Sequence, residues 1–249
     1  SGPKEREPGY DIAMQALSGF MSITGTSNGE PAKVGVAVLD VMTGMYATIG
    51  VLAALQLLNQ TGESQRITVP LFDVSIASLV NQAANFLVGG VVPQPMGTAH
   101  PNIVPYQAFP AADGYVVIAG GNDRLFERLC GALGLDHLKH DVRFSTNRAR
   151  VKNREILVEE ISSKTMTRTV DDWVSVLGQA RVPVSPVRDL EAVFESPEAA
   201  GRLETVADPQ RGNLTMVKNP IAGLPRRPSS PPPLLGEHTD EVRSLLWNA

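Results

Sequence analysis

The chain has 249 residues, of which 43% are hydrophobic and 19% charged, and its formal net charge is −4. This is the composition of a globular protein with room for one large domain or two smaller ones. A slightly acidic chain lacks the basic surface that nucleic-acid binding needs, so we expect no nucleic-acid partner. The single cysteine, Cys130, excludes an internal disulfide and favours a reducing, cytoplasmic location.

The chain opens with a polar stretch, SGPKEREPGY, which lacks the apolar core of a signal peptide and resembles the middle of a protein. The segment from Asp11 to Met21 has apolar residues at helical spacing. It predicts a helix that begins at Asp11 and ends near Gly19. A loop rich in glycine, asparagine and proline is predicted from Thr24 to Lys33.

The segment from Val34 to Leu58 contains a single charged residue, Asp40. We predict a helix from about Asp40 to Asn59. The most apolar part, Gly44 to Leu58, is shorter than the roughly 20 residues that a membrane helix needs, so we predict a buried core helix and no membrane partner. A carboxylate in such a run is either compensated by the fold or serves a function.

The next segments predict a strand, a helix and a long loop. Arg66 to Pro70 alternates and is β-branched, which indicates a short strand. Asp73 to Leu87 is predicted to be one helix with Asp73 as its N-cap. Gly89 to Pro105 holds three glycines and four prolines, and a loop of this length in a compact domain is usually functional.

The remainder predicts alternating helices and short strands, which indicates the α/β class. The elements expected up to residue 187 are a strand (Gly114–Ala119), three helices (Asp123–Leu133, Arg148–Ser163 and Thr169–Ala180, the last capped by Thr169) and an edge or connector (Val182–Val187). Those expected beyond it are two short helices (Asp189–Phe194, Pro197–Arg202), a strand (Leu214–Val217), an extended proline-rich segment (Arg226–Pro233) and, after the turn Gly236–Thr239, a closing helix.

Too few strands precede residue 65 to cover the apolar helix, so either another chain covers it or part of the fold lies outside this sequence.

Four separated motifs resemble those of CoA-transferase family III, the CaiB–BaiF family. In chain order they are GYDIAMQALSGFMSITG, VGVAVLDVMTGMYATIGVLAAL, GTAHPNIVPYQAF and PPPLLGEHT. The resemblance runs from about Pro8 to about Leu246. It is greatest for the branch that contains succinyl-CoA:glutarate (hydroxymethylglutarate) CoA-transferases.

The resemblance implies an α/β fold with an incomplete Rossmann-like large domain and a smaller α/β domain, taken from an interlocked homodimer. The chain would be the C-terminal part of such an enzyme, without the section that supplies most CoA-binding residues. Residues 1–88 would belong to the large domain and carry the catalytic aspartate and core helices. Residues 89–188 would form a linker and the small domain, and residues 189–249 would return to the large domain.

Asp40 lies where the family has its catalytic aspartate. A carboxylate can attack a thioester and form a mixed anhydride, which divides a difficult transfer into easier steps. The start of a helix would favour its ionised form. The alternative is a helix N-cap without chemistry.

Tyr10 and Gln15 are the next candidate substrate-binding residues. Racemases of the family have Gly-His-Asp where this chain has Gly9-Tyr10-Asp11. A phenol, with a pKa of about 10, is a poor base for α-proton abstraction, which argues against a racemase. The alternatives are that Tyr10 packs at a helix start and that Gln15 makes buried structural hydrogen bonds.

Gly97, Thr98 and His100 lie where transferases of the family have a glycine-rich loop that closes over the aspartyl intermediates. This chain has Gly-Thr-Ala-His instead, which suggests a changed acceptor. His100 would contact the second carboxylate of a dicarboxylic acid, unless it is only a solvent-exposed loop residue.

The sequence offers no metal site, because the pair Glu237-His238 lacks zinc-ligand spacing and fits a tight turn. Arg226-Arg227 is expected at the surface, with the phosphates of CoA as a conceivable partner. We expect no permanently bound cofactor; the coenzyme A thioester is a substrate. The predicted function is CoA transfer between carboxylic acids, from succinyl-CoA to a dicarboxylate. The alternatives are an acyl-CoA racemase or intramolecular CoA transferase of the same family, or a fragment that is inactive without its N-terminal section.

Overall fold

The computed structural model describes residues 7–225 and 228–247. They form two compact units, separated in sequence after Pro186. Together they give the mixed α/β fold that the sequence predicts.

The first unit begins with helices joined by loops. They are α1 (Asp11–Leu17), α2 (Phe20–Ile23), α3 (Val38–Thr61), α4 (Leu71–Ala77) and α5 (Val80–Leu87). Gly19 separates the first two helices with a left-handed φ of 93°, a conformation that glycine adopts without strain. The predicted end of the first helix near Gly19 is therefore confirmed.

Two predictions in this region are wrong. Arg66 to Pro70 is not a strand, because in the described residues it pairs with no neighbouring strand. The single helix expected from Asp73 to Leu87 is divided between α4 and α5, since the chain bends before Val80, whose φ is 38°. Asp73 lies in the first turn of α4, and the N-cap position is taken by Pro70.

Helix α3 is 24 residues long and apolar on all sides. By length and composition it would reach across a membrane, a test that core helices of soluble proteins also pass. Among the residues of α3, all of which the structure describes, only Leu39 is fully buried. Val41, Ile49 and Leu52 are each about 60% exposed. The expectation of a buried core helix is therefore not met within this chain, because the packed neighbours α1 and α4 are both short.

A three-stranded antiparallel sheet follows, with β1 (Tyr106–Pro110), β2 (Tyr115–Ala119) and β3 (Val184–Pro186) in that order. Phe109 pairs with Val116, and Ile118 pairs with Val184. The structure confirms the predicted second strand and the predicted edge, whereas β1 was not predicted.

Helices α6 (Asp123–Leu133), α7 (Asn147–Lys152), α8 (Arg154–Thr165) and α9 (Val170–Gln179) form one hydrophobic core with the sheet. The helix predicted from Arg148 to Ser163 is two helices that meet at Asn153. Thr169 caps α9 as predicted, accepting a hydrogen bond from the Asp172 N–H at 3.3 Å. The largest fully buried apolar side chains of this core include Trp173, Phe109, Phe144, Ile118, Leu129, Leu133, Leu157, Ile161 and Leu177.

Cys130 lies inside this core, and burial raises the pKa of its thiol to about 12. His137 and His140 follow in a 3₁₀ helix and are exposed.

Arg150 is a buried cation that joins four segments of this region. It donates to the carbonyl oxygens of Val104, Phe144 and Gly121 at 2.7–2.9 Å. It also donates to Asp123 Oδ1 at 2.8 Å. The backbone at Gly121 passes very close to a neighbouring loop, since a Cβ there would lie 1.9 Å from Ile103 Cγ2. As long as Ile103 is present, there is therefore space only for glycine at this position.

The second unit contains α10 (Leu190–Phe194), a 3₁₀ turn (Pro197–Ala199), the antiparallel pair β4 (Leu203–Asp208) and β5 (Gly212–Val217), and α11 (Thr239–Trp247). The structure confirms the predicted α10, last strand and closing helix. β4 was not predicted, and the helix expected from Pro197 to Arg202 is only the 3₁₀ turn. The predicted pair Arg226-Arg227 lies outside the described residues.

Candidate active site

Asp40 is the third residue of α3 and lies exposed in its first turn. The N-cap position is occupied by Ala37, which has no side-chain oxygen to accept from the N–H groups of this turn, and the Val38 N–H donates to the Val36 carbonyl oxygen at 2.8 Å. Unpaired N–H groups at a helix start attract negative charge. The placement of Asp40 at a helix start agrees with the sequence, although its predicted role as a nucleophile stays a prediction.

A buried carboxylate on α1 binds the backbone beside Asp40. Asp11 is 8% exposed, and its Oδ1 accepts from the Leu39 N–H at 2.8 Å. Its Oδ2 accepts from Gln15 Nε2 at 2.6 Å. Sequence reasoning did not identify Asp11 as a functional residue, because the bond to Leu39 spans 28 residues and no local pattern reveals it.

Gln15 completes this network from α1. Its side chain is fully buried, and its Oε1 accepts from the Val34 N–H at 2.9 Å. Both ends of the amide are therefore engaged by the protein, which corresponds to the structural alternative weighed for Gln15. Its proposed contact with substrate stays a prediction.

Tyr10 immediately precedes Asp11 and is 75% exposed. Its carbonyl oxygen accepts from the Met14 N–H at 3.0 Å, which closes the first turn of α1. The bond between Asp11 and Leu39 thus brings the backbone of Tyr10 to the start of α3. The structure places Tyr10, Gln15 and Asp40 in one region.

The loop with Gly97, Thr98 and His100 forms a second group. Gly97 has φ 61°, and its N–H donates to the Gly25 carbonyl at 2.8 Å. Thr98 Oγ1 accepts from the Ala108 N–H at 3.0 Å. The loop is therefore tied both to the segment after α2 and to β1.

His100 is held in a defined orientation. Its Nδ1 accepts from the Asn102 N–H at 3.1 Å, and its ring meets the Tyr106 ring edge-on with centroids 5.5 Å apart. A neutral imidazole that accepts at Nδ1 carries its proton on Nε2. The ring is thereby prepared to donate a hydrogen bond from Nε2.

A cavity of about 270 Å³ lies between this loop and α5. It is lined by Asn81, Gln82, Gly97, Thr98, Ala99, His100, Pro101 and Tyr106. These residues include two side-chain amides, a hydroxyl group and an imidazole, all of which can donate to an oxyanion. The lining of the cavity is therefore able to donate hydrogen bonds to a carboxylate.

Side chains of α7 and α8 fix the loop from behind. Arg154 Nη2 donates to the carbonyl oxygens of His100 and Pro101, both at 2.8 Å. Asn147 Nδ2 donates to the Asn102 carbonyl oxygen at 2.8 Å, and its Oδ1 accepts from Val104 N–H at 3.1 Å. Burial lowers the pKa of Arg154 from its ordinary value. No local sequence pattern signals these contacts, because they join residues more than 40 positions apart.

Over residues 7–225 and 228–247, no group of three or more histidine, cysteine, aspartate or glutamate side chains could hold a metal ion. In the second unit, Glu237 accepts from the Leu234 N–H at 2.6 Å, and Thr239 N–H donates to the Gly236 carbonyl at 3.0 Å. The GEHT segment is therefore a hydrogen-bonded turn, as predicted.

The chain matches the model of CoA-transferase family III over residues 1–239. It is 39% identical to a succinate–glutarate CoA-transferase of Agrobacterium fabrum, with 99% of this chain and 62% of that protein aligned. It is 35% identical to a human succinyl-CoA:glutarate CoA-transferase, over 97% of this chain and 56% of that protein.

The fold matches a crystal structure of a CaiB/BaiF family protein from Brucella suis with a TM-score of 0.80 and 38% identity. That match covers 99% of this chain and 65% of the Brucella chain. This chain thus spans about three fifths of the length of these three proteins.

Proposed function

Because the chain belongs to CoA-transferase family III, we propose that it is the C-terminal part of an enzyme that transfers coenzyme A between carboxylic acids. The observation that supports this most strongly is the exposed carboxylate of Asp40 in the first turn of α3. The buried pair Asp11 and Gln15 holds the backbone on its N-terminal side. An attacking group needs this combination of free access and fixed position.

The proposed reaction begins when an Asp40 carboxylate oxygen attacks the thioester carbonyl of acyl-CoA. The carbon–sulfur bond breaks, and CoA leaves as the thiolate, which gives a mixed anhydride on Asp40. The thiolate then attacks the aspartyl carbonyl of the anhydride. This step releases the donor acid as its carboxylate and leaves an aspartyl-CoA thioester.

The second half repeats these steps with the acceptor. The acceptor carboxylate attacks the aspartyl thioester and expels the CoA thiolate, which forms a new anhydride. The thiolate attacks the acceptor's carbonyl carbon, and Asp40 is regenerated as a carboxylate. The cycle exchanges one acid for another without net uptake of a proton, so it needs positioning more than acid–base catalysis.

Succinyl-CoA is the proposed donor, and a dicarboxylic acid such as glutarate is the proposed acceptor. The names of the two aligned relatives support this assignment. The cavity at the Gly97 loop supports it independently, because its amides, hydroxyl group and His100 imidazole match a second carboxylate. Gly97, Thr98 and His100 would therefore bind the carboxylate that does not react.

Tyr10 would line the approach to Asp40. Its exposed phenol lies beside the start of α1, where it could donate a hydrogen bond to a substrate oxygen. Phenol is too weak a base at neutral pH for α-proton abstraction, which disfavours racemisation. Gln15 would act from beneath the site by holding Asp11.

The exposed surface of α3 supports a larger assembly. Exposing so many apolar side chains of one helix to water is unfavourable. We therefore propose that further segments of the enzyme cover α3. The remaining length of the relatives offers such segments, and an interlocked second subunit is the proposed arrangement. The chain alone would then be inactive. The whole enzyme is separately proposed to be cytoplasmic.

Replacement of Asp40 by alanine or asparagine in the full-length protein is expected to lower kcat by at least about 10³-fold, because no nucleophile remains. Hydroxylamine added during turnover with succinyl-CoA should convert Asp40 to a hydroxamate, which peptide mass spectrometry detects. The exposed carboxylate Asp171 provides a matched control, and Asp171→Asn should retain activity. Full activity of Asp40→Ala, or an adduct only at another residue, would disprove the proposal.

Replacement of His100 by alanine is expected to change the choice of acceptor. The KM for glutarate should rise about tenfold, which corresponds to the loss of one hydrogen bond to a charged group. The KM for a monocarboxylic acid of similar length should change less than twofold. Initial rates with a panel of free acids measure both values. Equal changes for both classes of acid would contradict a contact between His100 and the second carboxylate.

A further inference from the structure

We propose that Asp11 is a positioning residue that fixes the orientation of Asp40 for attack on the thioester. This inference rests on the proposed function, since it takes Asp40 as the nucleophile. It assigns a role to a buried carboxylate that substrate does not touch.

The start of α3 lacks a cap from its own sequence. Ala37 at the N-cap position has only a methyl group. The Val38 N–H donates to the Val36 carbonyl oxygen at 2.8 Å, so the next N–H, that of Leu39, needs an acceptor from another part of the chain. Asp11 supplies one from a different helix, through its 2.8 Å bond to the Leu39 N–H. A hydrogen bond between a carboxylate and a backbone N–H is stronger than a neutral one.

This bond acts on the residue immediately before Asp40. The Leu39 side chain is fully buried, so both its backbone and its side chain are restrained. Asp40 follows through one planar peptide unit, so the restraint on Leu39 fixes the Asp40 Cα, and the helical backbone of α3 then sets the direction of its Cα–Cβ bond. A rotation of this peptide would move the nucleophilic oxygens relative to a bound thioester.

Gln15 makes the restraint directional. Its Nε2 donates to Asp11 Oδ2, and its Oε1 accepts from Val34 N–H, so the amide cannot turn over without losing both bonds. One side chain thereby fixes Asp11 and the segment leading into α3. The network joins α1 to two points on the chain that enters the proposed site.

The two carboxylates at this helix start have different surroundings. Asp11 is buried and accepts from two donors. Asp40 is exposed, and within the part of the chain that the structure describes no hydrogen bond or ion pair of its side chain is found. This difference suits one carboxylate for holding the backbone and the other for covalent chemistry.

The network predicts the effect of Asp11→Asn. The amide oxygen can still accept from Leu39 N–H, but the amide nitrogen then faces Gln15 Nε2, so two donors oppose each other. Adding Gln15→Glu should restore the pattern, because a carboxylate at position 15 accepts both from the new amide and from Val34 N–H. The charge moves by one turn of α1 while the hydrogen bonds remain.

The test uses the full-length protein and measures the single-turnover rate of Asp40 acylation by succinyl-CoA. Rates are expressed per CoA-binding site, so that misfolded protein does not contribute, and CoA affinity is measured separately. We expect Asp11→Asn to slow acylation at least about tenfold, since small displacements of a reacting group can cost up to about 10²-fold. CoA affinity should stay within about threefold, and the double variant should recover most of the rate. Asp171→Asn is the control carboxylate.

Three results would overturn the inference: an unchanged acylation rate in Asp11→Asn, a double variant as slow as the single one, or an Asp11→Asn protein that no longer binds CoA. The last result would make Asp11 a residue required for folding only. If wild-type Asp40 is never acylated, the proposed function itself fails, and this inference fails with it.

Discussion

The three-stranded sheet and helices α6 to α9 bury their large apolar side chains, among them Phe109, Leu129 and Trp173, to 1% exposure or less. Helix α3, in the same unit, leaves side chains such as Ile49 and Leu52 about 60% exposed. The first region can be stable through its own core. The second needs further protein, and it carries the proposed nucleophile. The difference supports the proposal that segments outside this chain complete the region that carries the proposed nucleophile.

Substitution of Arg150 by methionine is the strongest test of the claim that the sheet and helices α6 to α9 are stable through their own core. We expect a loss of about 4 kcal/mol in the free energy of unfolding, because three buried carbonyl oxygens lose their donor. Urea denaturation followed by circular dichroism measures the change. Arg148→Met replaces an exposed arginine of the same helix and should cost less than about 0.5 kcal/mol. Equal effects for the two variants would show that the packed region does not depend on its buried cation.

Truncating one buried side chain of the packed core and one exposed side chain of α3 compares the two regions directly, with a smaller expected effect. Leu129→Ala should destabilise the chain by about 3 kcal/mol, since it leaves a cavity in a closed core. Ile49→Ala should change the stability of the same chain by less than about 0.5 kcal/mol, because Ile49 is 62% exposed. Thermal and urea unfolding give both values.

The same Ile49→Ala substitution sharpens the contrast when it is made in the full-length protein. There it should destabilise as strongly as a core truncation, because the proposed covering segments then surround α3. A negligible effect in both contexts would contradict the proposed covering.

The sequence predicted the helices better than the strands. Helix α6 follows from regular apolar spacing, and its closing Gly134 has the left-handed conformation typical of a helix end. The segment Arg66–Pro70 has strand-like residues, yet a strand forms only where a neighbour supplies the hydrogen bonds. The break between α4 and α5 depends on the unusual backbone at Val80, which no residue preference signals.

The site was predictable only where it depends on neighbours in sequence. The position of Asp40 at the start of a helix follows from the apolar run behind it. The bonds from Asp11 to Leu39 and from Arg154 to His100 join distant residues, so they depend on packing. The lack of cover for α3 was predicted, because too few strands precede residue 65, but composition does not show which segments supply the cover.

The close approach at Gly121 constrains how this protein can diverge. A methyl group there would overlap Ile103 Cγ2, which belongs to a β-branched side chain with a restricted χ1. Alanine at position 121 becomes acceptable only after position 103 has become smaller. Position 103 must therefore change before position 121. A mutational survey that varies the two positions singly would classify alanine at position 121 as not tolerated, although it is accessible in two steps.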